Sequence, residues 1–478
     1  MNILCRALNG VMTLSGTLKR NSVPPVLPAD RIFRPKQVEG DRFIAGFGKA
    51  AVLPEDIESR KYYIAGYCDN NPARGVIDPQ YWHALWLDDQ SGEGGILFLV
   101  MDTVGLLRKD VCALKEKLRG FTVKTGCRNI VVTSTHDHAG IDTMGLWGPL
   151  PRTGRDPRFM ALAFERAEEA AFAAYADRRS GVLKYGAVRV SDLQEDIRTP
   201  VVYSDRLTRF RFIPDDGGSE IWFLNFAAHC ESLQGCNHLV SADYPAYLRE
   251  YIREKTGADT VFAVGAVGGM ISMRVEDEDL LRREHRLLEN TRRIGRRLGE
   301  YAVSVADEKT LAPRIGFASR EFYVKVENPM LAAAASVGII RVDRYYLPQP
   351  AIRTQLTYME LDTVPLLFLP GELFPELVYG GALGAEGSAT GKGPEINPPV
   401  LTQIAGAPDL LVFGLADDEI GYVIPPNDFY LHPEKPYLDK GIDRHGRRHY
   451  EETNSAGPGT AGAIADAFAG LLKSYRSE

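Results

Sequence analysis

The stretch NIVVTSTHDHAG, Asn129–Gly140, decides how the rest of the chain is read. Its first half is β-branched and apolar, the composition of a buried strand. Two imidazoles, His136 and His138, follow at once, with Asp137 between them. Upstream, GGILFLVMDT (Gly94–Thr103) is a continuous apolar run that also suits a buried strand. Between the two, DVCALKEKLRG (Asp110–Gly120) has helical spacing and ends on glycine. Strand, helix, strand is the order of an α/β unit, and in such sheets ligands gather where the strands end. The histidine pair therefore falls where chemistry is expected.

The same pattern recurs downstream. EIWFLNFAAH (Glu220–His229) is a strand ending on histidine, and PLLFLPGELF (Pro365–Phe374) is a strand reaching Gly371 and Glu372. DTVFAVGAVGGM (Asp259–Met270) runs into a glycine-rich turn, and DLLVFGLADDEIGYVIPP (Asp409–Pro426) places Tyr422 in a loop after a strand. Helical segments read at Arg158–Arg179, at Tyr244–Gly257 with Pro245 in its first turn, at Leu280–Glu308 and at Gly459–Arg476. Two imidazoles and a carboxylate at strand ends suit a divalent cation that keeps one position open for water. Other divalent ions suit the same donors as well as zinc does. No short zinc signature such as HExxH is present, so spacing alone does not assign the site.

Residues 1–40 read as a flexible N-terminal segment and 41–478 as one large domain. The glycine-rich stretch at about 379–399 reads as a mobile loop, either a lid or a plain surface insertion. Of the 478 residues, 45% are hydrophobic and 25% charged, which describes a globular chain. The net charge of −7 sets nucleic-acid binding aside. Six cysteines without a CxxC pair read as buried reduced thiols. No apolar run approaches the roughly 20 residues of a membrane span, and no secretory pattern opens the chain, so cytoplasm is the default location. Oligomeric state does not follow from the sequence.

Taken in order, several motifs resemble those of neutral/alkaline (non-lysosomal) ceramidases. STHDHAG (Ser134–Gly140) resembles the THTHSG element of that family. NFAAHCESLQGCNHLVSADYPAYL (Asn225–Leu248) is similar to its segment of metal-binding histidine followed by asparagine-histidine-leucine. AVGAVGGMIS (Ala263–Ser272) resembles its glycine turn before a serine, and PGELF (Pro370–Phe374) its Pro-Gly-Glu element. GLADDEIGYVIPPNDFY (Gly414–Tyr430) and YEETNSAGPGTA (Tyr450–Ala461) resemble its paired tyrosine elements. The resemblance implies an α/β fold in a four-layer arrangement, two β-sheets flanked by helices, forming a single large catalytic domain. It implies one zinc ion per chain, held by His136, His229, Glu372 and Tyr422. It implies that His138 and Tyr450 face the substrate carbonyl, and it gives Ser272 a catalytic role.

The implied activity is hydrolysis of an amide (N-acyl) bond by a metal-activated water, acting on a small N-acyl or lipid-like molecule. An esterase on the same scaffold, or a metal-binding homologue without turnover, are the alternatives. Asp137 and Ala139 stand where the family has threonine and serine. Val267 and Met270 replace polar residues, and Met273 replaces a proline. The family's C-terminal immunoglobulin-like domain is not expected in this chain. Read without the family, Asp243 is a helix N-cap, Asp417 to Glu419 a solvated loop or a shell around Tyr422, and Cys230 points away from His229. His238 receives no chemical role.

Overall fold

Along Ile96–Met101, Ile96, Phe98 and Val100 face one apolar layer while Leu97, Leu99 and Met101 face another. A strand buried on both sides needs a layer of structure on each, which here means a second sheet and a set of helices. The computed structural model describes residues 26–149, 152–235, 237–274, 284–336, 344–345, 350–432 and 441–477. The chain builds β1 (Arg31–Phe33), β2 (Phe43–Ala51), β3 (Tyr81–Asp88), β4 (Ile96–Met101), α1 (Arg108–Lys117) and β5 (Asn129–Ser134). It continues through α2 (Pro157–Ala176), β6 (Arg179–Arg189), β7 (Arg206–Pro214), β8 (Ile221–Phe226), α3 (Tyr244–Thr256) and β9 (Asp259–Val264). There follow α4 (Glu284–Ser304), β10 (Ile315–Lys325), β11 (Pro350–Leu361), β12 (Val364–Phe368), β13 (Leu411–Phe413) and α5 (Gly459–Arg476).

One sheet runs β9-β8-β7-β6-β2-β3-β4-β5, and the other β1-β10-β11-β12-β13. In each, only the outer pairs that lead to the expected site are parallel: β8 with β9, β4 with β5, and β12 with β13. The sheets face each other across a layer of aromatic rings. Phe98 lies 5.4 Å from Phe223 and 5.9 Å from Phe368, and Phe368 stacks on Phe413 at 4.6 Å. Helices α1 and α2 cover one part of the first sheet's outer face, α3 and α4 another, and α5 covers the second sheet. The result is the expected four layers, helix–sheet–sheet–helix. Among the described residues no helix is long and apolar enough to cross a membrane.

Packing of α2 on the first sheet depends on glycine. A Cβ added at Gly48 on β2 would lie 2.1 Å from the Ala170 carbonyl oxygen, which is backbone and cannot step aside. The alanines of α2 that face the sheet, Ala163, Ala167, Ala170 and Ala174, are fully buried and allow this approach. Gly48→Val is therefore expected to cost about 3 kcal/mol of stability, read as a lower urea midpoint. Gly462→Ala on α5, where an added Cβ meets nothing within 4 Å, is expected to cost nothing.

The N-terminal expectation needs correction. Residues 1–25 lie outside the described residues, but Arg31–Phe33 pairs antiparallel with Phe317–Ser319, and Asp30 accepts two hydrogen bonds from Arg320. The body therefore begins well before residue 41. The stretch expected to be a mobile loop is also tied down: Asn427 Nδ2 donates to Leu383 O and Arg444 Nη2 to Glu386 O, while Asp428 accepts from the Ala389 amide. Cys68 is disulfide-bonded, whereas Cys112, Cys127 and Cys230 are free, so the reading of all six cysteines as reduced thiols does not hold.

Strand order alone would put β5 and β9 at opposite edges of the first sheet. The sheet curls, so that β9 packs against β4 and β5. The chain after β13 closes the seam. Gly414 N donates to Val264 O at 3.1 Å, Asp417 N donates to Val132 O at 2.7 Å, and Ala416 bridges Thr133. Beyond the strands, Asp137 bridges Cys230, and the His138 amide donates to Cys230 O at 2.9 Å. This closure brings the ends of β5, β8 and β12 to one place.

Candidate metal centre

His136 follows β5 in a left-handed backbone conformation, with φ of 62°. A β-region residue would continue the strand, whereas this turn swings the ring inward at a cost in backbone strain. Its Nδ1 faces Val104 O at 2.7 Å. His229, beyond β8, is fully buried, and its Nδ1 faces Ile271 O at 2.8 Å. A carbonyl only accepts, so both Nδ1 atoms carry hydrogen and both Nε2 atoms of the neutral rings are lone pairs. Those lone pairs point at Glu372 Oε2, which lies 3.2 Å from His136 Nε2 and 3.0 Å from His229 Nε2. His138 Nε2 lies 3.1 Å from His136 Nε2.

Acceptors thus face acceptors in a buried space, an arrangement that is stable only with positive charge between them. Protonation responds to the same demand. Burial pulls the His229 pKa down, but the hydrogen bond to Glu372 and the charge of Glu231 outweigh it and raise the pKa to about 9. Burial and the neighbouring His136 lower His138 to about 3. Burial pushes Glu372 up, yet His136 and His229 hold its carboxyl well below the usual range. A divalent cation meets the same demand with the lone pairs already aimed, and the backbone carbonyls fix the ring orientations as outer partners do in metal sites. The imidazole nitrogens of His136, His138 and His229 all lie within 4.8 Å of one another and can hold a metal ion. The donor set fits a divalent metal.

The other expected residues surround this cluster at different ranges. Tyr422 is buried beside Glu372 through the short parallel pairing Glu372–Leu373 with Tyr422–Val423. Its hydroxyl donates to Met270 Sδ at 3.5 Å, and burial together with the Glu372 charge raises its pKa well above the usual value. Tyr450 is 44% exposed at the rim, and burial of its phenol, then the charge of Glu372, raises its pKa. Ser272 is buried, and its hydroxyl donates to Glu231 Oε1 rather than pointing at the histidines. Asp417, Asp418 and Glu419 are buried, at 3–5% exposure, so the solvated-loop reading fails. Asp417 pairs with Lys115 at 2.7 Å, and the Asp418 carboxylate accepts from the Arg108 amide. Asp243 caps α3 through the Tyr244 amide, as expected, and also accepts from Ser232 and Leu233.

Two residues at the site were not anticipated. Glu231 is 5% exposed, accepts from Ser272 and from the Tyr67 hydroxyl at 2.7 Å, and lies 3.7 Å from His138 Nδ1. Tyr67 sets its ring edge on His138, with centroids 5.7 Å apart. The signal for Glu231 was available: two residues past His229 in an extended chain, it shares that histidine's face. Tyr67 carries no comparable signal.

No protein-family model matches the sequence, and no curated protein matches it by sequence. Among solved structures, the fold is similar to that of the neutral ceramidase from Pseudomonas aeruginosa, with a TM-score of 0.67 and 15% identity, covering 91% of this chain and 74% of that one. It is similar also to a structure described as ceramidase complexed with C2, with a TM-score of 0.66 and 13% identity, covering 91% and 76%. The chain therefore has a ceramidase-like fold.

Proposed function

We propose that the chain is a zinc-dependent hydrolase that cleaves an amide (N-acyl) bond in a small or lipid-like molecule, with one zinc ion held by His136, His229, Glu372 and Tyr422. The observation that carries the proposal is the buried set of imidazole lone pairs aimed at the Glu372 carboxylate. When bound, the cation supplies Lewis-acid polarisation of an acyl carbonyl and makes water nucleophilic near neutral pH. The remaining chemistry falls to the protein's own side chains. His138 stays neutral, because burial lowers its pKa to about 3, so its Nε2 lone pair can accept a hydrogen bond from water at the centre and orient it. Tyr450 keeps its phenol proton and, at the rim, can donate it to the developing oxyanion. The Ser272 hydroxyl, committed to Glu231, supports the site instead of attacking the substrate. The half-exposed Tyr67 and Tyr450 rings suit an acyl compound with apolar parts. The disulfide at Cys68 fits an oxidising compartment better than the cytoplasmic default.

A panel of N-acyl amides with matched esters, assayed with added zinc and with a chelator, tests this reading. Chelator-sensitive amide cleavage is expected. Ester cleavage alone would favour an esterase, and binding of zinc without any turnover would favour a metal-binding homologue. Either result would overturn the proposal.

A further inference from the structure

We infer that Glu231 is the positioning carboxylate of the site, fixing the tautomer of His138, with Ser272 and Tyr67 as its supports. Everything about His138 except its ring protons is already settled by the fold. Its amide is held by Cys230 O at 2.9 Å, and Gly66 packs so tightly that an added Cβ there would lie 2.6 Å from His138 Cβ. Its ring is bracketed by Tyr67 on one side and by His136, 4.6 Å away, on the other. Nε2 faces the cluster. Nδ1 has no hydrogen-bond partner among the described residues, and the group facing it is Glu231 Oε2 at 3.7 Å.

That distance is longer than a hydrogen bond but short enough for a carboxylate to bias the proton. An N–H toward the carboxylate is attracted, and a lone pair in its place is repelled. Hydrogen therefore sits on Nδ1, and Nε2 keeps its lone pair toward the centre, where it can accept from and orient a water. The carboxylate is kept in place by its own donors. Ser272 Oγ donates to Oε1 and Tyr67 OH to Oε2, so neither oxygen can rotate away. This gives Ser272 a role that matches the direction of its proton, as a brace for Glu231. Glutamine at 231 would keep the shape but remove the charge that draws the proton, and its N–H₂ turned toward Nδ1 would reverse the bias.

The inference rests on the hydrolase reading for its kinetic arm only. The first arm is the long-range proton–nitrogen NMR spectrum of histidine-labelled protein, zinc-loaded and metal-free, with His138 assigned from His138→Asn. Wild-type protein is expected to carry hydrogen on His138 Nδ1, and E231Q to lose that signature. Hydrogen on Nε2 in the wild type, or an unchanged tautomer in E231Q, would overturn the inference. The second arm is kinetic. E231Q is expected to lower kcat by about 10²-fold or more, with KM and zinc content unchanged, and adding Ser272→Ala should cost little more because both act through one carboxylate. Full additivity of the two, or an E231Q enzyme with unchanged kcat, would also overturn it. If wild-type protein cleaves no N-acyl compound, the hydrolase reading fails and the wild-type spectrum still decides the role of Glu231.

Discussion

Glu372→Ala is expected to reduce zinc-dependent turnover by at least about 10³-fold while the protein stays folded. Loss of a single oxyanion donor commonly costs 10²–10³-fold, and on the proposed reading the substitution removes the carboxylate that would hold the cation. With Glu372 gone, a cation held there would lose the carboxylate that faces the lone pairs of His136 and His229. The fold should persist because the chain around Glu372 is secured by backbone bonds: its amide donates to Gly421 O, and Phe374 N donates to Val423 O. Steady-state rates at saturating zinc, together with a melting curve, check both halves. Activity within tenfold of wild type would place the metal elsewhere.

Arg209→Ala is expected to destabilise the protein by about 3–5 kcal/mol, the cost of breaking a buried ion pair from one side. Arg209 is 2% exposed, and its guanidinium joins three partners. It donates to Ala302 O and Val305 O at the C-terminal end of α4, and to Glu308 at 2.9 Å. Its Cζ also lies over Trp222, 4.3 Å from the ring centroid. Removing it orphans two carbonyls at a helix end, opens space beside the indole and leaves Glu308 with Arg211 alone. Lysine cannot restore a planar fork with this many donors, so Arg209→Lys should recover only a small part of the loss. Urea unfolding of the two variants measures this. A midpoint shift below about 1 kcal/mol for Arg209→Ala would show that the site relaxes.

Much of the architecture could be read from apolar runs because strands buried on both faces write themselves as continuous hydrophobic segments. Asn129–Ser134 and Ile221–Phe226 are such strands, and each leads to a histidine of the site. What the pattern does not contain is the curl of the first sheet. The meeting of β5 and β9 depends on long-range bonds such as those of Gly414 and Asp417, which leave no periodicity in the chain. Asp417 to Glu419 look like solvated charges for the same reason, since their partners Lys115 and Arg108 lie some three hundred residues away. His136, His138, His229 and Glu372 were legible from their places after strands, and the structure brings them together. Glu231 was legible by the alternation that set Cys230 aside, whereas Tyr67 was not. The short strand Arg31–Phe33 was hidden by flanking prolines, which resemble a tail until β10 supplies a partner.

The most direct test of the account is the metal content of purified protein, measured by elemental analysis for the wild type, His136→Ala and Glu372→Ala. About one zinc per wild-type chain is expected, and almost none in either variant. Full occupancy in both variants, or a wild-type protein that binds no divalent metal at all, would contradict it.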